Sequence, residues 1–229
     1  LAAFALLYSV YGGLSAVVWT DVIQVAVLVF GGFATSYVAL NWISGGEGAF
    51  AGLGTLLDKV PDHFEMILSV DNAHYKDLPG IAVLIGGLWV TNLYYWSFNQ
   101  YVIQRTFAAK SVKDAQTGLV FAGFLKLIIP LIVVIPGIAA FYITQYDPAL
   151  LQSLQDQFGP MVLNNLPSEQ TPDKAYPWVA QLLPVGIKGV VFAALAAAIV
   201  SSLASMLNST ATIFTMDIYK EYVNKKASD

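Results

Sequence analysis

A regular series of hydroxyl and amide side chains lies in the last apolar run of the sequence. This run, residues 189–216, has no charged residue, and its main polar side chains follow one another at spacings of four, three, four and three: Ser201, Ser205, Asn208, Thr212 and Thr215. Such spacing puts them on one face of a helix, flanked by Ser202 and Ser209. In a membrane, this face either hydrogen-bonds to another helix or supplies oxygen ligands to a small hard cation.

An aromatic and amide-rich stretch in an earlier apolar run is the second candidate for chemistry. The sequence WVTNLYYWSFNQ has four side chains on one predicted helical face, with Gln100 and Gln104 nearby: Asn92, Tyr95, Trp96 and Asn99. Aromatic rings beside amides are typical of a sugar-binding surface, because rings cover the apolar faces of a sugar while amides bond to its hydroxyls. The alternative is a packed helix interface in which the amides are satisfied.

Two charged residues lie within or beside apolar runs. Lys126 lies about 16 Å along its predicted helix from Ala115, at a rise of ~1.5 Å per residue. It either extends toward the cytoplasmic interface or donates hydrogen bonds inside a wet cavity. Asp21 lies near the start of a predicted helix. There it either complements the helix dipole or attracts a cation at an inward-facing vestibule.

The sequence argues against several other chemistries. It contains no cysteine, and its net charge of −4 argues against a nucleic-acid partner, which requires a basic face. We find no phosphate-binding Gly-Lys-Ser/Thr loop, nucleophile elbow or HExxH motif. The two histidines, His63 and His74, share an acidic connection. A metal site built on them is the alternative, and we interpret them as solvated loop residues. Because the apolar runs contain no His, Glu or Cys, we expect no enzymatic activity and no catalytic residue.

The composition is that of a membrane protein. Of the 229 residues, 57% are hydrophobic and 11% are charged, whereas soluble domains carry about 25% charged residues. We therefore predict an all-α polytopic membrane protein with about five transmembrane helices, at residues 1–11, 21–42, 78–104, 114–147 and 189–216. Since the sequence opens with Leu1 inside an apolar run and has no basic segment before it, we expect part of a longer protein.

The basic residues predict an orientation. The short connection 105–114 and the C-terminal segment together hold six of the eleven basic residues: Arg105, Lys110, Lys113, Lys220, Lys225 and Lys226. The longer connections are mainly acidic. The positive-inside rule places the basic segments in the cytoplasm, so the second and fourth predicted helices run outward and the third and fifth run inward.

Three segments carry a resemblance to a known family. YSVYGGLSA at residues 8–16 has the paired glycines and small residues of the sodium:solute symporter signature. The stretches NLYYWSFNQYVIQRTFAAKSVKDAQTG and AALAAAIVSSLASMLNSTATIFTMDIYKEY, residues 92–118 and 193–222, resemble the bacterial sugar-transporting branch of that family. The resemblance covers nearly the whole chain and is weakest in residues 145–170.

This resemblance implies a LeuT-type fold, in which two five-helix inverted repeats surround a site at the membrane midplane. Residues 1–229 would then form part of a single transmembrane transporter domain. Residues 1–43 would be the last two helices of the first repeat, and residues 44–79 an outer loop. Residues 80–218 would be the first three helices of the second repeat, including an outer loop at 145–183. Residues 219–229 would be cytoplasmic.

The resemblance also implies roles for individual residues. Asn92 and Lys126 match sugar-bonding positions, and Tyr95, with Trp96 beside it, matches the aromatic residue that closes the sugar site from the cytoplasm. The sodium ligands would include the hydroxyls of Ser201 and Ser202 and the backbone carbonyl of Ala198. Asp21 matches an acid on the inward exit path of the ion.

The implied activity is sodium-coupled symport of a hexose, galactose or glucose, by alternating access across a bacterial inner membrane. The expected partners are the sodium ion, the hexose, the lipid bilayer and the remaining helices of the same transporter. The alternative within the family is symport of another small solute, such as proline, an anion or a vitamin. A channel is a weaker interpretation, since it needs a continuous polar pore and these polar groups cluster at mid-depth.

Overall fold

The computed structural model describes residues 2–72, 74–76, 80–168 and 170–227, and every regular element in these ranges is helical. The α-helices described are α1 (Ala2–Ile43), α2 (Ala49–Lys59), α3 (Leu88–Leu93), α4 (Gln100–Phe107), α5 (Val112–Lys126), α6 (Ile129–Gln145), α7 (Pro148–Phe158), α8 (Ala175–Gln181) and α9 (Val185–Ile213). Short 3-10 turns cover Pro61–Phe64, Pro160–Leu163 and Pro172–Lys174, and π-helical turns cover Val83–Gly87, Tyr94–Phe98 and Phe214–Val223. The predicted all-α class is confirmed.

Three stretches of the described residues are long and apolar enough to cross a membrane: Ser9–Ile43, Val112–Gln145 and Val185–Val223. They correspond to the second, fourth and fifth predicted spans. The predicted break at the paired glycines is also present, because Gly13 has φ 58° and ψ −160° inside α1, a conformation that glycine adopts at little cost. The chain is therefore a multi-pass membrane protein.

The helix of the predicted third span, residues 78–104, is interrupted within residues 80–104, and the span itself stays a prediction. The π-helical turns Val83–Gly87 and Tyr94–Phe98 flank the short α3, and Asn99 then adopts an extended backbone, with φ −82° and ψ 106°. Asn99 caps α4, since its side-chain oxygen accepts a hydrogen bond from the Tyr101 backbone N–H at 3.1 Å. Asparagine is a strong N-cap residue, and a new helix therefore begins within the uncharged run.

The predicted fourth span is interrupted at Lys126, the last residue of α5. Pro130 lies at the start of α6 and has no N–H to donate to the carbonyl of residue 126, four residues earlier. The chain instead makes tighter turns, with Leu127 N–H bonded to Phe124 O and Ile128 N–H to Leu125 O. The break at Lys126 is thus a local consequence of proline.

The described chain divides into two compact units. The first comprises Leu1–Ala26, Ala82–Ala122 and Ala194–Asp229, and the second comprises Val27–Ile81 and Gly123–Ala193. In the first unit, Val17 of α1 and Val200 and Ala204 of α9 are buried in one small apolar cluster with Ala5. Small side chains at such a contact let two helix backbones approach closely, as is typical of helices packed in membranes.

The core of the second unit depends on helices in the connections that were predicted only as outer loops. Leu56 of α2, Leu154 of α7 and Trp178 of α8 are fully or almost fully buried against the ends of α1 and α6. The Trp178 indole N–H donates to the Val162 carbonyl oxygen at 2.8 Å. The two connections therefore fold into a packed layer rather than extended loops.

A close approach of α2 to α1 depends on Gly52. A Cβ atom added at Gly52 would overlap the carbonyl oxygen of Leu40, whereas one added at Gly54 on the same helix would meet open space. The neighbour of Gly52 is backbone, which cannot move aside as a flexible side chain can. The α1–α2 contact therefore requires glycine at position 52.

We expect Gly52→Ala to lower the thermal unfolding temperature of the detergent-purified full-length protein. Gly54→Ala is the matched control, because alanine is more favourable than glycine inside a helix by about 0.5–1 kcal/mol and has room there. Gly54→Ala should leave the unfolding temperature unchanged or raise it slightly. Equal unfolding temperatures for the two variants would contradict the close α1–α2 contact.

Candidate cation and solute sites

The polar face predicted for α9 exists for its first three members. Ser201, Ser205 and Asn208 each make a side-chain hydrogen bond to α1 or α4. Thr212 does not, because its hydroxyl donates to the Asn208 carbonyl one turn back in its own helix, at 2.9 Å. The polar face thus makes contacts with other helices near the middle of α9, and these contacts end before Thr212.

Asp21 lies at the centre of this polar cluster. The Ser201 hydroxyl donates to Asp21 Oδ1, and Arg105 donates to Asp21 Oδ2 from Nε at 3.1 Å and from Nη2 at 2.8 Å. The Asp21 side chain is 15% exposed and that of Arg105 is 32% exposed. Asp21 lies about two turns beyond Gly13, inside α1, so the interpretation as a helix N-terminal anion was wrong.

Arg105 joins three helices. Besides Asp21 of α1, its Nη2 donates to Ser205 Oγ of α9 at 2.6 Å, and its Nη1 donates to the Tyr101 carbonyl of α4 at 3.0 Å. Its guanidinium carbon lies 5.3 Å from the centroid of the Tyr101 ring, within range of a cation–π contact. In the sequence, Arg105 was used only to predict the membrane orientation, although its position directly after Gln104, in an amide-rich run, was a signal of a polar contact.

Amide and hydroxyl groups extend the α4–α9 contact. Gln104, which is 3% exposed, donates from Nε2 to the Ser205 carbonyl at 3.0 Å and accepts from Asn208 Nδ2 at 3.1 Å. The Tyr101 hydroxyl lies 3.5 Å from Ser202 Oγ. Ser205 and Asn208 therefore serve helix packing, as one alternative predicted, while Ser201 and Ser202 lie beside Asp21 and Tyr101.

The half-buried Ala198 precedes Ser201 and Ser202 on α9 by three and four residues. Residues at these spacings are neighbours on one face of a helix. On α1, one turn beyond Asp21, the Gln24 Oε1 atom is buried and has no hydrogen-bond partner among the residues that the structure describes. Neutral oxygens of this kind suit a small hard cation.

The aromatic candidates lie in the first unit. Tyr95 and Trp96 belong to the π-helical turn Tyr94–Phe98, and their rings make an edge-to-face pair with centroids 5.4 Å apart. Asn92 donates from Nδ2 to the Leu88 carbonyl of its own helix at 2.8 Å. The prediction that Asn99 shares their helical face was wrong, because the helical turn ends at Phe98 and Asn99 caps the next helix.

Lys126 belongs to the second unit. It is exposed at the end of α5, where Pro130 interrupts the helix. In the first unit, by contrast, the structure brings Asp21 and Ser201 into direct contact and places Ser202 one residue further along the same helix. Asn92, Tyr95 and Trp96 belong to the first unit as well.

Comparison with known proteins identifies the family. The sequence model of the sodium:solute symporter family matches residues 1–229, the whole chain. The chain belongs to the sodium:solute symporter family. The resemblance carried by residues 8–16, 92–118 and 193–222 is thereby confirmed, and membership in this family agrees with the multi-pass helical architecture.

Individual members of the family show strong similarity. The chain is 68% identical over 229 residues to a sodium/glucose cotransporter of Vibrio parahaemolyticus, covering 100% of the chain and 41% of that protein. It is 30% identical over 253 residues to mouse sodium/glucose cotransporter 1, covering 36% of it. It is 32% identical over 246 residues to human sodium/myo-inositol cotransporter 2, covering 34% of it. The chain spans well under half the length of these symporters.

Proposed function

We propose that the chain is part of a sodium-coupled symporter that moves a hexose, galactose or glucose, across a bacterial inner membrane by alternating access. The similarity to the Vibrio sodium/glucose cotransporter, at 68% identity over the whole chain, supports both the ion and the solute. Glucose and myo-inositol, named for the more distant relatives, are both ring compounds rich in hydroxyls. This shared chemistry favours a hexose over proline, an anion or a vitamin. Because these relatives are all named cotransporters, the similarity also favours transport rather than enzymatic turnover.

For the ion, the proposal uses the oxygens of α9. The hydroxyls of Ser201 and Ser202 and the Ala198 carbonyl would bind sodium, and the remaining helices of the same transporter would add further ligands. Asp21 would attract the ion on its inward exit path. The single observation that carries this assignment is the direct contact between Ser201 and Asp21, which joins a candidate ligand to the candidate exit path.

For the sugar, the proposal uses the aromatic turn and two hydrogen-bonding side chains. Asn92 and Lys126 would bond to sugar hydroxyls, and Tyr95 would close the site from the cytoplasm with Trp96 beside it. The edge-to-face pair of Tyr95 and Trp96 supports a joint role, because movement of one ring requires the other to adjust. The π-helical turn that carries them supports it further, since such turns often occur at functional sites.

The proposed architecture is a LeuT-type transporter domain. Residues 1–43 would be the last two helices of the first inverted repeat, and residues 80–218 would contain the first three helices of the second. The outer loops would be residues 44–79 and 145–183, and residues 219–229 would form a cytoplasmic segment. The interruptions at Gly13 and Asn99 support this architecture, because transporters of this kind use broken helices at their binding sites.

Coupling would follow from reciprocal binding. Sodium on α9 would hold this helix against the remaining helices and favour the state in which the sugar site is formed, and the sugar would then favour sodium binding to the same degree. One sodium ion moving down ~100 mV supplies about 2.3 kcal/mol, and a tenfold concentration gradient adds about 1.4 kcal/mol. At one ion per sugar, this sustains an accumulation of roughly several-hundred-fold.

Competition between solutes tests the proposed specificity. Proteoliposomes containing the full-length symporter, under an inward sodium gradient, are given labelled galactose with an excess of unlabelled glucose, myo-inositol or proline. We expect glucose to suppress galactose uptake strongly and proline to leave it unchanged. Suppression by proline, or the absence of any galactose uptake, would contradict a hexose symporter and favour another solute of the family.

A further inference from the structure

We propose that Arg105 is a tethered cation that competes with the transported sodium ion for Asp21, and so prevents this carboxylate from trapping the ion on its inward path. The inference rests on the proposed sodium symport and assigns a role to a residue that the sodium and sugar assignments do not use. Its basis is the double contact of Arg105 with Asp21 Oδ2, from Nε and from Nη2.

The problem that Arg105 solves is electrostatic. Asp21 lies beside Ser201 and is mostly buried, so an unpaired carboxylate there would attract a sodium ion much more strongly than it would in water. An ion leaving Ser201 would then be held at Asp21 rather than released. With the guanidinium on Oδ2, the pair is close to neutral, and Oδ1 is engaged by the Ser201 hydroxyl.

Arg105 also has partners other than Asp21. Its Nη1 donates to the Tyr101 carbonyl, and Nη2, which also contacts Asp21, donates to Ser205 Oγ. The guanidinium can therefore leave Oδ2 while two hydrogen bonds and the adjacent Tyr101 ring hold it nearby. A sodium ion can pass Asp21 as Arg105 withdraws, and the return of Arg105 displaces the ion toward the cytoplasm.

The test compares the sodium dependence of sugar uptake by the full-length symporter in proteoliposomes for the wild type, Arg105→Gln and Arg105→Gln/Asp21→Asn. In Arg105→Gln the carboxylate is unpaired, so the half-saturating sodium concentration and the maximal rate should each fall about tenfold, the size expected for removing one charged hydrogen-bonding partner. The double variant restores the net charge of the ion pair and removes the carboxylate that would trap the ion, so the half-saturating sodium concentration should return toward its wild-type value. The maximal rate should recover only in part, because Asp21 no longer attracts the ion on its exit path.

Two further variants separate charge from structure. Arg105→Lys keeps the cation and should retain the wild-type half-saturating sodium concentration, even if its maximal rate is lower. Lys110→Gln is the matched control, because Lys110 is exposed in the same basic connection and its loss removes the same charge without touching Asp21. It should leave both quantities unchanged.

Four results would overturn the proposal: a raised half-saturating sodium concentration in Arg105→Gln, no rescue in the double variant, a lowered half-saturating sodium concentration in Arg105→Lys, or the full effect in Lys110→Gln. Any of them would assign Arg105 to helix packing or to a general surface charge. They are distinguishable from failure of the symport proposal itself, because in that case wild-type uptake would not depend on sodium at all.

Discussion

Replacing Ser201 and Ser202 together by alanine is expected to abolish sodium-dependent sugar uptake by the full-length symporter. Both hydroxyls are proposed sodium ligands, and oxygen ligands of this kind replace part of the hydration shell that the ion loses. Loss of a hydrogen bond or ligand to a charged group costs about 1.5–3 kcal/mol, so sodium affinity should fall by roughly a hundredfold or more. The measurement is the half-saturating sodium concentration for uptake of labelled galactose in proteoliposomes.

The matched control for the serine pair is Thr212→Ala. Thr212 lies on the same helix, and its hydroxyl bonds only to the Asn208 carbonyl of α9 among the contacts described for it. Its removal changes side-chain polarity without touching the proposed ligands, so sodium dependence should be retained. An unchanged sodium affinity in the serine double variant would reject the ion-site assignment.

Lys126→Ala is expected to weaken sugar binding much more than sodium binding. An ammonium group that donates to a sugar hydroxyl makes a charged hydrogen bond, and its loss should raise the half-saturating sugar concentration by about tenfold or more. The half-saturating sodium concentration, measured at saturating sugar, should change far less. Both quantities come from the same proteoliposome uptake assay.

Lys113→Ala provides the comparison for Lys126. Lys113 is exposed near the other end of the same helix, α5, and has no proposed contact with the sugar. This variant should keep the wild-type affinities for both the sugar and the ion. Equal losses of sugar and sodium affinity in Lys126→Ala would indicate a folding role, because a misfolded transporter loses both sites together.

The polar face of α9 was predictable because its signal is local. Ser201, Ser205 and Asn208 are separated by steps of four and three residues, and this spacing alone puts them on one face of any helix. The apolar surroundings indicated that these side chains have partners, since hydroxyls and amides inside a membrane are costly in free energy unless they form hydrogen bonds or bind a ligand. The structure adds their partners, which lie on other helices.

Those partners could not be predicted from spacing. Asp21, Arg105 and Ser201 are far apart in the sequence and meet only through the packing of α1, α4 and α9. The positive-inside rule predicts that Arg105 lies near the cytoplasmic side, but it does not distinguish a solvated arginine from one paired with a carboxylate. Tertiary contacts decide this difference.

The broken helices show a different limit. Hydropathy measures how apolar a run is and ignores the capping that begins a new helix, so the break at Asn99 did not emerge from the uncharged run 78–104. Pro130 was visible in the sequence and, by its missing N–H, specified the break at Lys126. The helices α2 and α7 were missed because each has 11 residues, well below the ~20 needed to span a membrane.

The central claim is that solute movement is driven by sodium. Its most direct test is uptake of labelled galactose and glucose into proteoliposomes containing the full-length symporter, measured with an inward sodium gradient and with an equal potassium gradient. The sodium gradient should drive accumulation well above the external sugar concentration, and the potassium gradient should allow none. Galactose or glucose flux that is the same in both conditions would contradict sodium symport.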